Sequence, residues 1–267
     1  DALLNKDQDQ KQFKSFIAMR YWHPFANQAA QQVKQWGADE IILLPLYPQF
    51  STTTTDSSLK EWHQIAKKVG LTASTKTIGC YPATKHFIQS HVEKALPFMK
   101  EALAKGETRL LLSAHGLPQK VVDGGDPYEW QVKLGAEKIV AGLKDALGQD
   151  FDWMVCFQSK VGPLKWLEPS TEHELERAGN DQMNVVLIPI AFVSEHSETL
   201  VELDIEYKEL ADEAKVPHYG RVPTLTVDST FIQALADEVL KTDQGWKSEN
   251  PCPQNFGKCY CRANGLI

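Results

Sequence analysis

A row of carboxylates follows an apolar run in the second half of the sequence. Glu195, Glu198, Glu202 and Glu206 are spaced by three and then four residues, so in a helix they lie along one face. Such a face can simply be solvated, but carboxylates are also hard oxygen ligands and proton acceptors. Because the row begins at a strand end, it is predicted to guide a divalent cation inward, above all through Glu198 and Glu202.

His115 is the second candidate for chemistry, because it ends another apolar run and precedes Gly116. A neutral imidazole accepts a proton near pH 7 or binds a transition metal. Ligands of open α/β sheets bind beyond the carboxyl ends of the strands, so we expect His115 to lie across from the carboxylate row. Three more strand ends carry aromatic or basic residues, within 20–24, 45–50 and 158–166. Together the five ends predict a pocket for a flat, apolar ligand with charged groups.

The elements that must position these residues alternate along the chain. Apolar, β-branched runs are separated by longer stretches of helical periodicity, which indicates an α/β protein with parallel sheets. The predicted strands are residues 15–19, 40–45, 75–79, 109–113, 153–157, 185–192 and 219–222. The predicted helices are residues 25–36, 57–69, 84–103, 128–147, 172–177, 195–214 and 230–241. A domain boundary is predicted near Gly106, after a long helix and before a new strand.

Composition narrows the functional classes. A chain of 267 residues with a formal charge of −7 and 42% hydrophobic residues is typical of a globular protein of one large or two moderate domains. The negative charge and the lack of a dense basic stretch argue against a nucleic-acid binder. No apolar run approaches the roughly 18 residues that a membrane span needs, and the polar start from Asp1 to Lys14 is unlike a signal peptide.

Five cysteines leave one over from any disulfide pairing, and three of them lie near the end of the chain. Cys252, Cys259 and Cys261 need one more soft ligand to make a four-thiolate site. Cys156 lies inside a predicted strand and is expected to be a small buried hydrophobe, whereas Cys80 follows a strand and could reach a ligand. Zinc is disfavoured because its usual C-x₂₋₄-C spacing is absent. Free thiols without any metal remain an alternative.

Five ordered motifs together resemble the ferrochelatase family, whose members insert ferrous iron into protoporphyrin IX to give protohaem. The resemblance extends from about Phe16 to Leu240. The motifs are Arg20-Tyr21-x-His23-Pro24, Tyr47-Pro48-Gln49-Phe50-Ser51, Ser113-Ala114-His115-Gly116-Leu117-Pro118, Gln158-Ser159-Lys160-Val161-Gly162-Pro163 and Ser194-Glu195-His196-x-Glu198-Thr199-Leu200-x-Glu202-Leu203-Asp204.

The resemblance implies a chelatase fold, with two Rossmann-like lobes that each contain a parallel four-stranded sheet flanked by helices. The amino-terminal lobe would be residues 1–105 and the carboxyl-terminal lobe residues 106–227. Residues 228–243 would form a helix that returns to the first lobe, and residues 244–267 a cysteine-rich tail. Nothing before Phe16 matches the family's opening strand, so the first lobe is expected to be incomplete.

The resemblance also implies roles for individual residues. His115 would take pyrrole protons or hold the metal, with Glu198 as its catalytic partner and fellow ligand of the iron substrate. Glu202 and Glu206 would be further metal ligands that lead away from the site. Residues on the porphyrin-binding positions of the motifs are Arg20, Tyr21, Ser159, Trp166, Phe192 and His196. His196 could either tether Glu198 or cap the helix.

Some ferrochelatases carry a [2Fe–2S] cluster, and by resemblance its ligands here would be Cys80, Cys252, Cys259 and Cys261. The C-x₆-C-x-C run is tighter than the animal pattern, and Ser90 stands where animal enzymes place the first-lobe cysteine. The implied partners are protoporphyrin IX and ferrous iron, without nucleic acid, in a cytoplasmic protein that could contact the membrane peripherally or form a homodimer. The alternatives are a cobalt chelatase, a non-catalytic porphyrin- or haem-binding protein, and an iron–sulfur sensor on a chelatase scaffold.

Overall fold

The chain forms two parallel sheets in a computed structural model that describes residues 1–6, 11–245 and 252–265. Strands β1 (Glu40–Leu43) and β2 (Ser74–Thr77) pair in the first sheet. The second sheet has the order β4-β3-β5-β6. Its strands are β3 (Thr108–His115), β4 (Asp152–Gln158), β5 (Asn184–Pro189) and β6 (Tyr219–Arg221). The predicted α/β class is confirmed, with four strands in the second sheet and two described strands in the first.

Helices surround both sheets. In chain order they are α1 (Ala2–Asn5), α2 (Ala26–Trp36), α3 (Thr55–Lys68), α4 (Lys85–Lys105), α5 (Gln119–Asp123), α6 (Tyr128–Leu147), α7 (Thr171–Asn180), α8 (Ser197–Leu200), α9 (Tyr207–Glu213), α10 (Ser229–Asp243) and α11 (Tyr260–Ala263). None of the helices in the described ranges combines the length and apolar character that crossing a membrane requires.

Strand β3 lies inside the second sheet, where its alternating side chains face two apolar layers. Leu110 and Leu112 pack against α4 and α6, while Leu111 faces α7 and α9. Burial of each leucine stabilises the fold by roughly 1.5–3 kcal/mol. The strand is buried along its whole length up to His115, which is the first partly exposed residue. The sheet therefore holds His115 at a fixed position on its carboxyl edge.

Helix α10 packs against the first sheet and α4 rather than beside its neighbours in the sequence. Its Phe231 and Ala234 share a buried cluster with Ile78, Tyr81 and Phe87. The helix begins with a capping interaction in which Asp228 accepts hydrogen bonds from two backbone amides. The second half of the chain thus contributes to the core around the first sheet.

The predicted strand at residues 15–19 is wrong. Its single backbone bridge joins Met19 to Phe25, and Ile17 is 66% exposed. The residues have suitable apolar side chains, but the described part of the chain provides no neighbouring strand to bond their backbone groups.

The single helix predicted for residues 195–214 is replaced by α8, a π-helical turn at Glu202–Glu206 and α9. In the π turn the Glu206 N–H donates to the Val201 carbonyl, five residues earlier, at 3.0 Å. The wider turn changes the angle between successive carboxylates, so the regular spacing along one face does not persist. π turns of this kind occur frequently at functional sites.

Candidate active site and four-cysteine cluster

His115 and Glu198 meet at the carboxyl edge of the second sheet. The His115 Nδ1 lies 2.8 Å from the Glu198 Oε2, and each side chain is a little over one-third exposed. In the neutral imidazole, a proton on Nδ1 that is donated to the carboxylate leaves the lone pair on Nε2, which has no hydrogen-bond partner among the described residues. The pair therefore presents a base and a carboxylate to the solvent-accessible side.

The backbone on both sides of His115 is fixed by hydrogen bonds. Tyr128 on α6 donates its hydroxyl to the His115 carbonyl at 2.9 Å, and the Gly116 N–H donates to the Gln158 carbonyl at 2.8 Å. A Cβ on Gly116 would lie 3.0 Å from that carbonyl oxygen and 3.2 Å from the Trp166 ring. Glycine is thus needed at this position for the close approach of β3 and β4.

Glu198 is held at the start of α8, where His196 is the N-cap. The His196 Nδ1 accepts a hydrogen bond from the Glu198 backbone N–H at 3.1 Å. The hydrogen bond from His115 lowers the pKa of the Glu198 carboxyl, and partial burial opposes this effect only in part. Phe192 lies between the two imidazoles, with ring centres 4.7 Å from His196 and 6.4 Å from His115. The aromatic ring of Phe192 thus lies near the His115 side chain that contacts the ionised Glu198 carboxylate.

Glu202 occupies a different environment, although it is only four residues from Glu198. Its carboxylate accepts hydrogen bonds from the Ser159 N–H (2.8 Å), the Ser159 hydroxyl (2.6 Å), the Gln158 amide (3.0 Å) and the Tyr207 hydroxyl (3.0 Å). Burial and the carboxylates of Glu172 and Glu202 raise the pKa of Tyr207, which therefore remains a donor. Glu202 joins the π turn to the end of β4, whereas Glu206 is exposed.

Four further residues are predicted to bind porphyrin, and one of them, Ser159, reaches the pair, where its hydroxyl helps to lower the pKa of the Glu198 carboxyl. Arg20 is 3.2 Å from Glu61 and stacks on the ring of Tyr21, which is 75% exposed. Trp166 donates its indole N–H to the Val161 carbonyl at 3.1 Å and lies against Gly116. Ser159 contacts Glu202 as described above. The assignment of these residues to porphyrin binding stays a prediction.

Four of the five cysteines gather at a second place, where α11 and the preceding residues lie beside α6. Cys252, Cys259 and Cys261 are at most 5% exposed and share a cluster with the partly buried Cys80. Hydrogen bonds from the Cys252 and Cys261 thiols lower the pKa of the Cys259 thiol. Cys156 is separate, and burial raises its pKa to about 12, so it remains a neutral thiol.

The four-cysteine cluster has the donor set that an iron–sulfur cluster uses, because four thiolates are its usual ligands. The amide of Gln131 adds two donors, at 3.4 Å from the Cys80 Sγ and 3.2 Å from the Cys252 Sγ. Such N–H groups stabilise negative charge on sulfur, so the chemistry of these donors suits an iron–sulfur cluster. In the described ranges no three His, Cys, Asp or Glu side chains are arranged to hold a single metal ion.

The sequence did not identify Tyr128, Tyr207 or Gln131 as parts of these sites. The signal available for Tyr207 was that a buried tyrosine hydroxyl usually has a polar partner. Tyr128 is similarly buried and begins a helix. Gln131 offers no local signal, because its partners come from three distant segments.

The chain is similar to known proteins in its sequence and in its fold. A family model described as ferrochelatase matches residues 1–243. A ferrochelatase of Pelagibacter ubique is 44% identical over 267 residues, covering 98% of this chain and 76% of the relative. A ferrochelatase of Wolbachia sp. subsp. Drosophila simulans is 52% identical over 224 residues, covering 84% of this chain and 69% of the relative. The solved structure of SirB from Bacillus subtilis with Fe3+ has a TM-score of 0.58 and 16% identity, covering 84% of this chain and 81% of SirB, and shows the shared fold.

Proposed function

The chain belongs to the ferrochelatase family, and we propose that His115 and Glu198 are the pair with which it inserts ferrous iron into protoporphyrin IX. The reaction forms protohaem and releases the two pyrrole protons. The observation that supports this assignment is the 2.8 Å contact between the His115 Nδ1 and the Glu198 Oε2 at the edge of the second sheet.

The residue types suit the two demands of metal insertion. Two N–H protons must leave the porphyrin, and the lone pair at the His115 Nε2 can accept a proton at the face of the ring. A positioned base of this kind contributes roughly 10²–10⁴-fold to a rate. The metal arrives as a partly desolvated cation, and the ionised Glu198 carboxylate attracts it. Glu198 also fixes the His115 tautomer, as carboxylates beside metal-site histidines commonly do.

We assign supporting functions to the surrounding residues. Phe192, Trp166, Arg20 and Tyr21 would provide surfaces for the macrocycle and its carboxylates, and Glu206 would receive the cation from solvent. Glu202 would hold Ser159 and the π turn in place, in addition to the metal contact that the resemblance predicts.

The test is anaerobic incubation of the purified protein with protoporphyrin IX and ferrous iron, with haem followed by its absorbance. His115→Ala should abolish the activity, and His63→Ala, which changes an exposed histidine on α3, should retain it. Equal activity of wild type and His115→Ala would overturn the assignment of the base. Porphyrin binding without any metal insertion by the wild type would favour the non-catalytic alternative, and insertion of Co2+ but not Fe2+ would favour the cobalt chelatase.

We further propose that Cys80, Cys252, Cys259 and Cys261 bind a [2Fe–2S] cluster. Their common burial and the two amide N–H donors of Gln131 support this assignment. The test is the measurement of iron and acid-labile sulfide in the isolated protein, with Cys80→Ser as the variant and Cys156→Ala as the matched control. Cys80→Ser should lose the cluster, and full cluster content in that variant would remove Cys80 from the ligand set. If the isolated protein contained stoichiometric zinc and no sulfide, the four cysteines would be assigned to a zinc site and not to an iron–sulfur cluster.

We also propose that the protein works in the cytoplasm and contacts the membrane peripherally. Tyr21 and Trp22 are 75% and 70% exposed, and aromatic residues with a polar edge are suited to a lipid–water interface. Flotation with anionic vesicles should require both rings. A dimer in sedimentation that dissociates in Trp22→Ser would instead assign this surface to a second copy of the chain.

A further inference from the structure

Gln131 on α6 lies between the four-cysteine cluster and the loop of residues 47–55. The side chain is 1% exposed. Its carbonyl oxygen accepts a hydrogen bond from the Phe50 backbone N–H at 2.7 Å, and its amide nitrogen donates to Cys80 and Cys252. The two ends of one buried amide are therefore used by two different sites.

The same loop is held a second time by the start of α6. The buried carboxylate of Asp126 accepts hydrogen bonds from the Ser51 hydroxyl (3.0 Å), the Thr52 N–H (2.7 Å) and the Thr52 hydroxyl (2.7 Å). Its other oxygen accepts from the Tyr128 N–H at 3.0 Å. Because Tyr128 also donates its hydroxyl to the His115 carbonyl, the loop, α6 and His115 form one hydrogen-bonded unit.

The cysteine-bearing segment is seated on this unit. The Lys258 N–H donates to the Gly125 carbonyl at 3.2 Å, next to Asp126. Tyr260 packs against Phe50 at 6.2 Å, and Phe256 against Trp130 at 6.1 Å between ring centres. Loss of the group that orders the four thiols would remove support from both sides of Phe50.

We propose that Gln131 is a positioning residue that couples occupancy of the four-cysteine cluster to the order of the loop at residues 47–55. This inference rests on the proposed [2Fe–2S] cluster. Hydrogen bonds to the sulfurs are one of the factors that set the reduction potential of such clusters, because they stabilise the more negative reduced state. The Gln131 amide group thus stabilises the cluster with its nitrogen and fixes Phe50 with its oxygen.

Two substitutions separate the two ends of this amide. Gln131→Met keeps the size of the side chain and removes both the donor and the acceptor. Gln131→Glu keeps an acceptor for the Phe50 N–H and replaces the amide donor by a carboxyl group. Gln89→Met is the matched control, because Gln89 is exposed on α4 and contacts Glu93.

The experiment combines cluster analysis, redox titration and hydrogen–deuterium exchange on the full chain. Gln131→Met should shift the cluster's reduction potential to a more negative value and accelerate exchange in residues 47–55 by roughly three- to tenfold, as expected for one lost hydrogen bond. Gln131→Glu should shift the potential in the same direction at a pH where its carboxyl is ionised, without accelerating exchange at Phe50. Removal of the cluster from the wild type should accelerate the same exchange, and removal from Gln131→Met should accelerate it less, because the hydrogen bond from Phe50 is already lost and only the packing of Tyr260 on Phe50 remains to be weakened.

The outcomes distinguish this inference from the proposed cluster. A wild-type protein with neither iron nor sulfide would overturn the cluster and the coupling together. A wild type with a full cluster, and a Gln131→Met variant with unchanged potential and exchange, would overturn the coupling alone. If Gln131→Met does not fold, the potential of Gln131→Glu and the exchange of cluster-depleted wild type decide the question.

Discussion

The His115–Glu198 pair and the four-cysteine cluster are built in opposite ways. Both members of the pair are a little over one-third exposed, and within the described part of the chain the His115 Nε2 has no hydrogen-bond partner. Three of the four cysteines are at most 5% exposed, and their neighbours occupy the space around them. A site that exchanges substrates must keep polar groups available, whereas a site for a resident group can bury them.

The two sites are also supported in different ways. The pair lies beyond the ends of two strands of one sheet, and the residues within those strands are buried in apolar clusters that do not include the pair. The four-cysteine cluster joins the loop that follows β2, helix α6 and the segment that contains α11. This last segment has little apolar core of its own. Substitutions in the pair should therefore affect turnover far more than stability, and substitutions in the cluster should affect stability and local order.

Glu198→Gln is the strongest test of this contrast. It removes the negative charge that, in the proposed function, attracts the cation, and it replaces the carboxylate beside the His115 Nδ1 by a neutral amide of nearly the same volume. We expect kcat to fall by roughly 10²-fold or more, with a change in Tm below about 2 °C, since an exposed pair contributes little to stability. Steady-state haem formation and thermal unfolding measure the two effects. A large loss of Tm would show that the pair is structural.

Cys259→Ser should have the reverse signature. Its sulfur accepts hydrogen bonds from the Cys252 and Cys261 thiols, and without it the proposed [2Fe–2S] cluster would lack one of its four ligands. We expect loss of cluster absorbance, rapid proteolysis near the end of the chain and a Tm lowered by several degrees, with a smaller loss of turnover than in Glu198→Gln. Cys156→Ala, outside the cluster, should keep its cluster content. Unchanged proteolysis in Cys259→Ser would contradict the supporting function of the cluster.

Glu202 is expected to affect both stability and activity, because it lies beside the His115–Glu198 pair but accepts several structural hydrogen bonds. Glu202→Gln replaces an acceptor of four hydrogen bonds by a group that also donates, so at least one donor from Ser159 or Gln158 is left unpaired. A buried polar group without a partner costs about 1–3 kcal/mol, which we expect to appear in chemical denaturation. Glu206→Gln, on the exposed side of the π turn, should leave stability unchanged and raise only the KM for Fe2+. Equal stability of the two variants would argue against the anchoring function of Glu202.

Local sequence signals predicted the pair because the rule that ligands bind at strand ends needs only the order of elements. His115 and Glu198 each follow an apolar run, and adjacency of β3 and β5 brings those ends to one edge. The same logic failed for residues 15–19, because a strand depends on a partner that its own sequence cannot specify.

Two features of the sites could not be predicted from the sequence, because each depends on a single turn or on contacts between distant segments. In the π turn the backbone hydrogen bond spans five residues and not four, and the spacing of Glu198, Glu202 and Glu206 does not predict this. Gln131 contacts Phe50, Cys80 and Cys252, which come from three other parts of the chain, so these contacts follow only from packing. The resemblance to the family supplied Cys80, since its spacing from the other cysteines carried no motif.

The smallest effect is expected at Glu195, which belongs to the predicted row of carboxylates but makes structural hydrogen bonds. Its carboxylate accepts from Arg221 at 2.7 Å and from the Thr224 N–H at 2.9 Å, and Arg221 also pairs with Asp204. Burial raises the pKa of Glu195, but hydrogen bonds from Thr199, Arg221 and Thr224 outweigh it, so the net pKa is lower than the ordinary value of 4.5.

A carboxyl whose pKa is lower in the folded state stabilises the protein above its unfolded pKa, and this contribution is lost as the pH falls through the folded value. We therefore expect the free energy of unfolding of the wild type to decrease below about pH 4.5 more steeply than that of Glu195→Gln, which has no proton to bind at this position. Urea titrations between pH 3 and pH 7 measure the difference, with Glu213→Gln on the exposed end of α9 as the control. If the free energy of unfolding depends on pH in the same way in the wild type and in Glu195→Gln, the carboxyl of Glu195 does not stabilise the fold. Glu195 would then be a fourth carboxylate available to the cation, and not a support for Glu198, Glu202 and Glu206.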